Sequence, residues 1–196
     1  IKKQMQKTAL LSYLLYEDGK IVVDEISPKD KFGKVFTNET KYHSQSVGKS
    51  FASYILGHAI CKGYVDSIDA QLNDWPILKN TLYHNQKIID LINMQAGDEK
   101  YFSSEDKSNI FANSSSRYSV TNRTISSAMN KELKGSKKSK KKWAYNNLLP
   151  HLILNYLIFK AGEDDFQNLL DDVFRKKVGI EYETVLVMSE ESTNNN

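Results

Sequence analysis

The chain has 196 residues, a formal net charge of +3, 40% hydrophobic and 11% aromatic residues, and a single cysteine, Cys61. A chain of this length can bury a sizeable core without staples, its aromatic content argues against intrinsic disorder, and one cysteine leaves neither an intramolecular disulfide framework nor a Cys-rich zinc site. The longest apolar runs, such as Leu152 to Leu154 and Leu157 to Phe159, are broken by polar residues and fall far short of the roughly 18 apolar residues of a membrane span.

In chain order, residues 8 to 27 predict a β-hairpin. Thr8 to Tyr16 is apolar, with β-branched and aromatic residues, Glu17-Asp18-Gly19-Lys20 carries an Asp-Gly turn signal, and Ile21-Val22-Val23 restarts an extended run. Residues 28 to 44 are polar and predict a loop, with one short strand near Val35-Phe36. From Ser46 to Lys62 the apolar residues Val47, Phe51, Tyr54, Ile55, His58 and Ala59 fall at spacings of three and four, which is helical. Gly63 stands where a helix C-cap belongs. A turn-rich stretch through Trp75-Pro76 leads to a second helix at Ile88 to Ile92, expected to stop at Gly97.

Residues 98 to 118 predict a long loop with local helical pieces, and Val120 to Leu133 a helix. Six lysines between residues 134 and 142 then predict a solvated connector. No aromatic residues interleave with them, so base stacking on nucleic acid is not expected. Lysine outnumbers arginine 24 to 3 along the chain, against the arginine preference of phosphate recognition. Asn147 to Ala161 predicts a buried helix, with Pro150 near its start, where proline is tolerated. Phe166, Leu169, Leu170, Val173 and Phe174 mark an amphipathic helix closed by Gly179-Ile180. Tyr182 to Met188 has strand character, and Ser189 to Asn196 predicts a disordered tail.

The tetrapeptide Ser46-Val47-Gly48-Lys49 opens the first long helix. Residues three apart share a helical face, so a lysine amine can assist in deprotonating the serine hydroxyl, which is otherwise a poor nucleophile. Unpaired N–H groups at the helix start can stabilise an oxyanion, the N–H of Ser46 among them. Gly48-Lys49-Ser50 also matches the tail of a phosphate-binding loop, but such a loop needs glycine at position 43, where this chain has His43. Tyr145-Asn146-Asn147 opens the apolar helix 99 residues beyond Ser46. Beside a lysine, Tyr145 can act as general acid or base and Asn147 can bind the lysine or a substrate amide. Read structurally instead, Tyr145 is a core aromatic and Asn147 an N-cap. His43, His58, His84 and His151 show no metal-ligand spacing, and Cys61 reads as a small buried hydrophobe.

Ser46-x-x-Lys49 followed by Tyr145-x-Asn147 resembles the paired active-site motifs of class C serine β-lactamases and the related penicillin-binding D,D-peptidases, esterases and aminohexanoate-oligomer hydrolases. The hairpin with Glu17-Asp18-Gly19-Lys20, the passage Phe51 to Gly63 with Leu72-Asn73-Asp74-Trp75, the segment Ile89 to Gly97 and the turn Lys177-Val178-Gly179-Ile180 extend the resemblance over residues 8 to 182. It departs at Gln45, at Gln95-Ala96-Gly97, and in lacking the family's third motif, a Lys/His-Ser/Thr-Gly strand. The resemblance implies an α/β (α+β) fold: residues 1–45 carry N-terminal strands, residues 46–182 form a mainly helical part with both motifs, and residues 183–196 a tail. The absent third motif implies missing C-terminal strands, an N-terminal portion of a longer enzyme, and a chain nearly inactive alone.

The implied activity is acyl transfer through a Ser46 ester on an amide, ester or β-lactam substrate. Ser46 is the nucleophile, Lys49 and Tyr145 share the proton work, and Asn147 positions lysine and substrate. No cofactor and no metal are required, and the partner is a small-molecule or peptide-like substrate. An extracytoplasmic setting is favoured, with a cytoplasmic one left open. Two other readings stay open: a catalytically inactive relative serving as a binding module, and a helical interaction protein whose motifs coincide.

Overall fold

A computed structural model describes residues 1–27, 37, 40, 44–102 and 125–181 of the chain. The protein is mixed α/β, with a two-stranded antiparallel sheet and several helices. It divides into two compact units, Ile1–Gln45 and Ser46–Asn196.

In the first unit a short helix α1 (Lys2–Met5) precedes strands β1 (Ser12–Glu17) and β2 (Lys20–Ile26). Asp18 and Gly19 both have positive φ, 48° and 78°. Two left-handed residues between paired strands make the turn whose twist matches a hairpin's own. Glu17 pairs with Lys20, Ser12 with Ile26, and the register slips between Leu15 and Tyr16. Leu14, Leu15, Tyr16, Ile21 and Val22 are exposed. The strand expected near Val35-Phe36 lies outside the described residues.

The second unit is helical. After a tight turn at Gln45–Val47, α2 runs over Gly48–Cys61 and buries Ala52, Ile55, Leu56 and Ala59. It ends in a Schellman arrangement: Gly63 takes φ +79°, its N–H donates to Ile60 O, and the Tyr64 N–H donates to Ala59 O, both at 3.0 Å. Then come α3 (Ile88–Ile92), α4 (Glu99–Phe102) and α5 (Ile125–Ser127), the last continued by a wider π-type turn over Ala128–Glu132. Helix α6 (Leu148–Ala161) is followed by α7 (Glu163–Leu170), itself extended by a π-type turn over Asp171–Lys177. Glu163, Asp164 and Asp165 open that last stretch and Arg175, Lys176 and Lys177 close it, as the helix dipole favours.

Helix α6 is the hub. Leu148, Leu149, Leu152, Ile153, Leu154, Asn155, Tyr156 and Leu157 are all buried, so the helix is covered all round, as uniformly apolar helices are. It packs against α2, α3, α5 and α7. Tyr156 OH and Lys160 Nζ donate to Asp74, at 2.9 and 2.6 Å, and tie its far end to the Leu72–Trp75 loop. Among the described residues no helix is long and apolar enough to cross a membrane.

Several expectations change. Helix α3 stops at Asn93 and Met94, where Met94 takes φ +54°, rather than at Gly97. Cys61 is exposed, because its place in the last turn of α2 turns it away from the apolar stripe. Lys134, Lys137, Lys138, Lys140, Lys141 and Lys142 are exposed, but the backbone carrying them is not a free connector. It is a strap pinned to the rest of the unit. The N–H groups of Gly135, Ser139 and Ala144 donate to the carbonyls of Asn80, Gly97 and Met94 at 2.7, 2.8 and 2.9 Å. Ser136 Oγ accepts from the Leu82 N–H at 2.9 Å, and the Lys137 N–H donates to Tyr101 OH at 3.1 Å. Backbone and small residues do most of the pinning, joined by one lysine side chain, Lys141, which is ion-paired with Asp90 of α3. The expected pieces at 103–118, 120–124 and 182–196 lie outside the described residues.

Candidate active site

The site is built from two places in the second unit: the start of α2 and the strap's exit into α6. Where the tight turn Gln45–Val47 runs into α2, Lys49 Nζ donates to Ser46 Oγ at 3.2 Å, the contact that three-residue helical spacing permits. The strap delivers Tyr145 and Asn147 to the same pair. Tyr145 OH is hydrogen-bonded to Ser46 Oγ. Lys49 Nζ also donates to Asn147 Oδ1 at 2.7 Å and lies 4.7 Å from the centre of the Tyr145 ring. Ser46 and Tyr145 are exposed, while Lys49 and Asn147 are half-buried. The four candidates, drawn from positions about a hundred residues apart, thus meet in one hydrogen-bonded cluster. His43, which stands where a phosphate-binding loop needs glycine, lies outside the described residues.

Tyr145 is 48% exposed and is not a core aromatic. Nor does Asn147 cap α6 with its side chain. That task falls to Asn146, whose Oδ1 accepts the Leu149 N–H at 3.1 Å. The cap one residue earlier leaves the Asn147 amide for Lys49. Asn146 is buried, and its Nδ2 donates to Asp98 Oδ2 at 3.0 Å. The same oxygen accepts from Tyr83 OH at 2.7 Å. Burial pushes the Asp98 carboxyl above its ordinary range, although both hydrogen bonds pull the other way. Burial, followed by the Asp98 charge, drives the Tyr83 phenol well up.

His151 stands one turn beyond Asn147 on α6. Burial lowers its affinity for a proton, and the positive charge of Lys49 lowers it further. The imidazole therefore holds a proton less readily than a free histidine. Beside Lys49 opens a cleft of about 220 Å³, walled by Leu91, Met94, Pro150 and Ile153 with Ser50 and Ser53 at its edge. Asn146, Asp98, Tyr83 and His151 carry no motif in the sequence. Only the Asn-Asn pair ahead of an apolar helix hinted that one of the two would cap it. Among the described residues no cluster of three histidine, cysteine or acidic side chains is placed to hold a metal ion.

Chemically, the arrangement places a hydroxyl between two groups able to exchange protons with it, at an open surface and next to an apolar cleft. No family model, no curated protein and no solved structure matches the chain.

Proposed function

We propose that this chain carries the nucleophilic centre of a serine hydrolase with the active-site chemistry of the β-lactamase-related family, acting through an acyl-enzyme on an amide, ester or β-lactam. The observation that carries the reading is the double hydrogen bond at Ser46 Oγ, to Tyr145 OH and to Lys49 Nζ. A buried structural serine needs no such surroundings, and this one is exposed.

In acylation, Ser46 Oγ attacks the substrate carbonyl carbon, and its proton passes to the Tyr145–Lys49 pair. The carbonyl electrons move onto oxygen, where the Ser46 N–H near the start of the helix stabilises them. Collapse of the tetrahedral intermediate expels the leaving group, which takes up the proton, and leaves the Ser46 ester. Water then attacks that ester, giving its proton to the same pair; the bond from the acyl carbon to Oγ breaks, the pair returns the proton to Oγ, and the acid departs. Asn147 holds Lys49 in line through both steps, and the cleft beside Lys49 offers apolar room to one side of the substrate.

The test is covalent. A fluorophosphonate, or a penicillin, left with the chain to completion is expected to add one equivalent at Ser46, read by intact mass and peptide mapping, even though catalytic turnover by the chain alone is expected to be slow. Ser46→Ala should abolish the adduct with the fold unchanged. Equal labelling of the alanine variant would refute the nucleophile.

A further inference from the structure

We propose that Asn146 is the positioning residue of this site and that Asp98, with Tyr83, is its anchor; the inference rests on the reading of Ser46, Lys49, Tyr145 and Asn147 as the reacting cluster. The geometry is that of a clamp. Tyr145 is bonded to Ser46 and Asn147 to Lys49, and Asn146 between them is buried on the opposite errand. Its two amide atoms serve two different elements. Oδ1 receives the Leu149 N–H and fixes where α6 begins. Nδ2 reaches Asp98, which is fully buried and is itself held by the fully buried Tyr83.

The anchor has a stiff base. Asp98 follows Gly97, whose carbonyl receives the Ser139 N–H. Two residues upstream, Ala96 O accepts from Gln86 Nε2 at 2.7 Å. The strap therefore touches the 94–98 turn three times, through Ser139, Ala144 and Asn146, before it presents Tyr145 and Asn147. A reacting group displaced by about 1 Å can lose about a hundredfold in rate. A residue that sets backbone position on both sides of itself by two buried hydrogen bonds is where such a displacement is prevented. Alanine leaves the helix start uncapped, and serine offers a single hydroxyl oxygen on a shorter stem, which can meet Leu149 or Asp98 but does not span both.

The experiment compares the full 196-residue chain with Asn146→Ser, which keeps a capping oxygen on a stem too short to reach Asp98 as well, and with Asp98→Asn, which keeps an acceptor for Asn146. Two readings are taken at equal helicity by circular dichroism. One is the rate of fluorophosphonate addition at Ser46. The other is reductive methylation of Lys49 by formaldehyde and cyanoborohydride, mapped by mass spectrometry against exposed Lys140.

In Asn146→Ser, Ser46 labelling is expected to fall about 10- to 100-fold, as when a supporting shell is removed. Lys49 methylation should rise about tenfold, as its charged hydrogen bond to Asn147 loosens. Asp98→Asn alone should leave both near wild type. If Asn146→Ser leaves both readings unchanged, or Asp98→Asn suffers the same loss, the clamp is overturned. If wild-type Ser46 does not label but Lys49 is still released in Asn146→Ser, the hydrolase reading falls and the clamp stands. A check that needs no variant is hydrogen exchange of the wild-type Asn146 side-chain amide. Slow exchange is expected, and exchange as fast as that of exposed Asn73 would overturn the buried bond.

Discussion

At the level of single residues, the site depends on where protons can go. Tyr145→Phe removes the hydroxyl bonded to Ser46 and keeps the ring beneath Lys49. Lys49→Met removes the amine and keeps the stem. Each is expected to slow fluorophosphonate addition by about 10²–10⁴, the usual range for a lost acid or base, while leaving thermal unfolding close to wild type. An unchanged rate in both would leave Ser46 without a proton acceptor and the cluster without a chemical role. His151 gives a stability signature. Burial and then the Lys49 charge hold its folded pKa below the ordinary value, which is about 6.5 in an unfolded chain. Above that pH both states are neutral and His151 has no effect. As the pH falls through about 6.5 the unfolded chain takes up a proton that the folded one refuses, so stability declines until the folded value is passed. The urea midpoint of wild type should therefore drop more between pH 7.5 and 5 than that of His151→Gln. Equal drops would show that the imidazole titrates freely.

At the level of elements, the strap and the turn beneath it form one device. Gly97 has φ +73°, and a Cβ there would stand 2.6 Å from the Ser139 carbonyl oxygen. Gly97→Ala thus combines a left-handed alanine, costing about 1–2 kcal/mol, with a collision against backbone that is itself hydrogen-bonded to Gly97. We expect a clear fall in thermal midpoint together with a fall in Ser46 labelling, because the collision lies on the strap that carries Tyr145. A lower midpoint with normal labelling would separate the turn from the site. The lysines on the strap behave differently. Lys140 and Lys142 are exposed, and their replacement by alanine should change stability by no more than about 0.5 kcal/mol, as surface changes generally do. A larger shift in the urea midpoint would show that their side chains help to pin the strap.

At the level of the whole molecule, the helical unit is organised around α6, and the site hangs from that helix's first turn. Leu152 is fully buried in the middle of α6. Leu152→Ala should cost about 2–5 kcal/mol, the range for a core leucine leaving a cavity, measured by urea unfolding. A smaller loss would mean that neighbours collapse into the space and that the hub is softer than its burial indicates.

Local signals carried the elements. The Asp18-Gly19 turn needs two left-handed residues and names them, the three- and four-residue spacing from Val47 to Ala59 marks α2 as a helix, although Val47, Phe51 and Tyr54 are exposed and its buried stripe runs through Ala52, Ile55, Leu56 and Ala59, and the apolar run after Asn147 marks α6. The Ser46–Lys49 contact was legible too, since one helical turn joins them. Other features were hidden in the sequence. The expected end of α3 at Gly97 lies too late because Met94, three residues earlier, already takes the left-handed conformation. The lysine strap was misread because charge is visible in a sequence and backbone hydrogen bonding to Asn80, Gly97 and Met94 is not. Local propensity can say that a helix begins near Asn146-Asn147. It cannot say which of two adjacent asparagines caps it, because that choice is made by Asp98, 48 residues away, buried beside Tyr83 and within reach of only one of them.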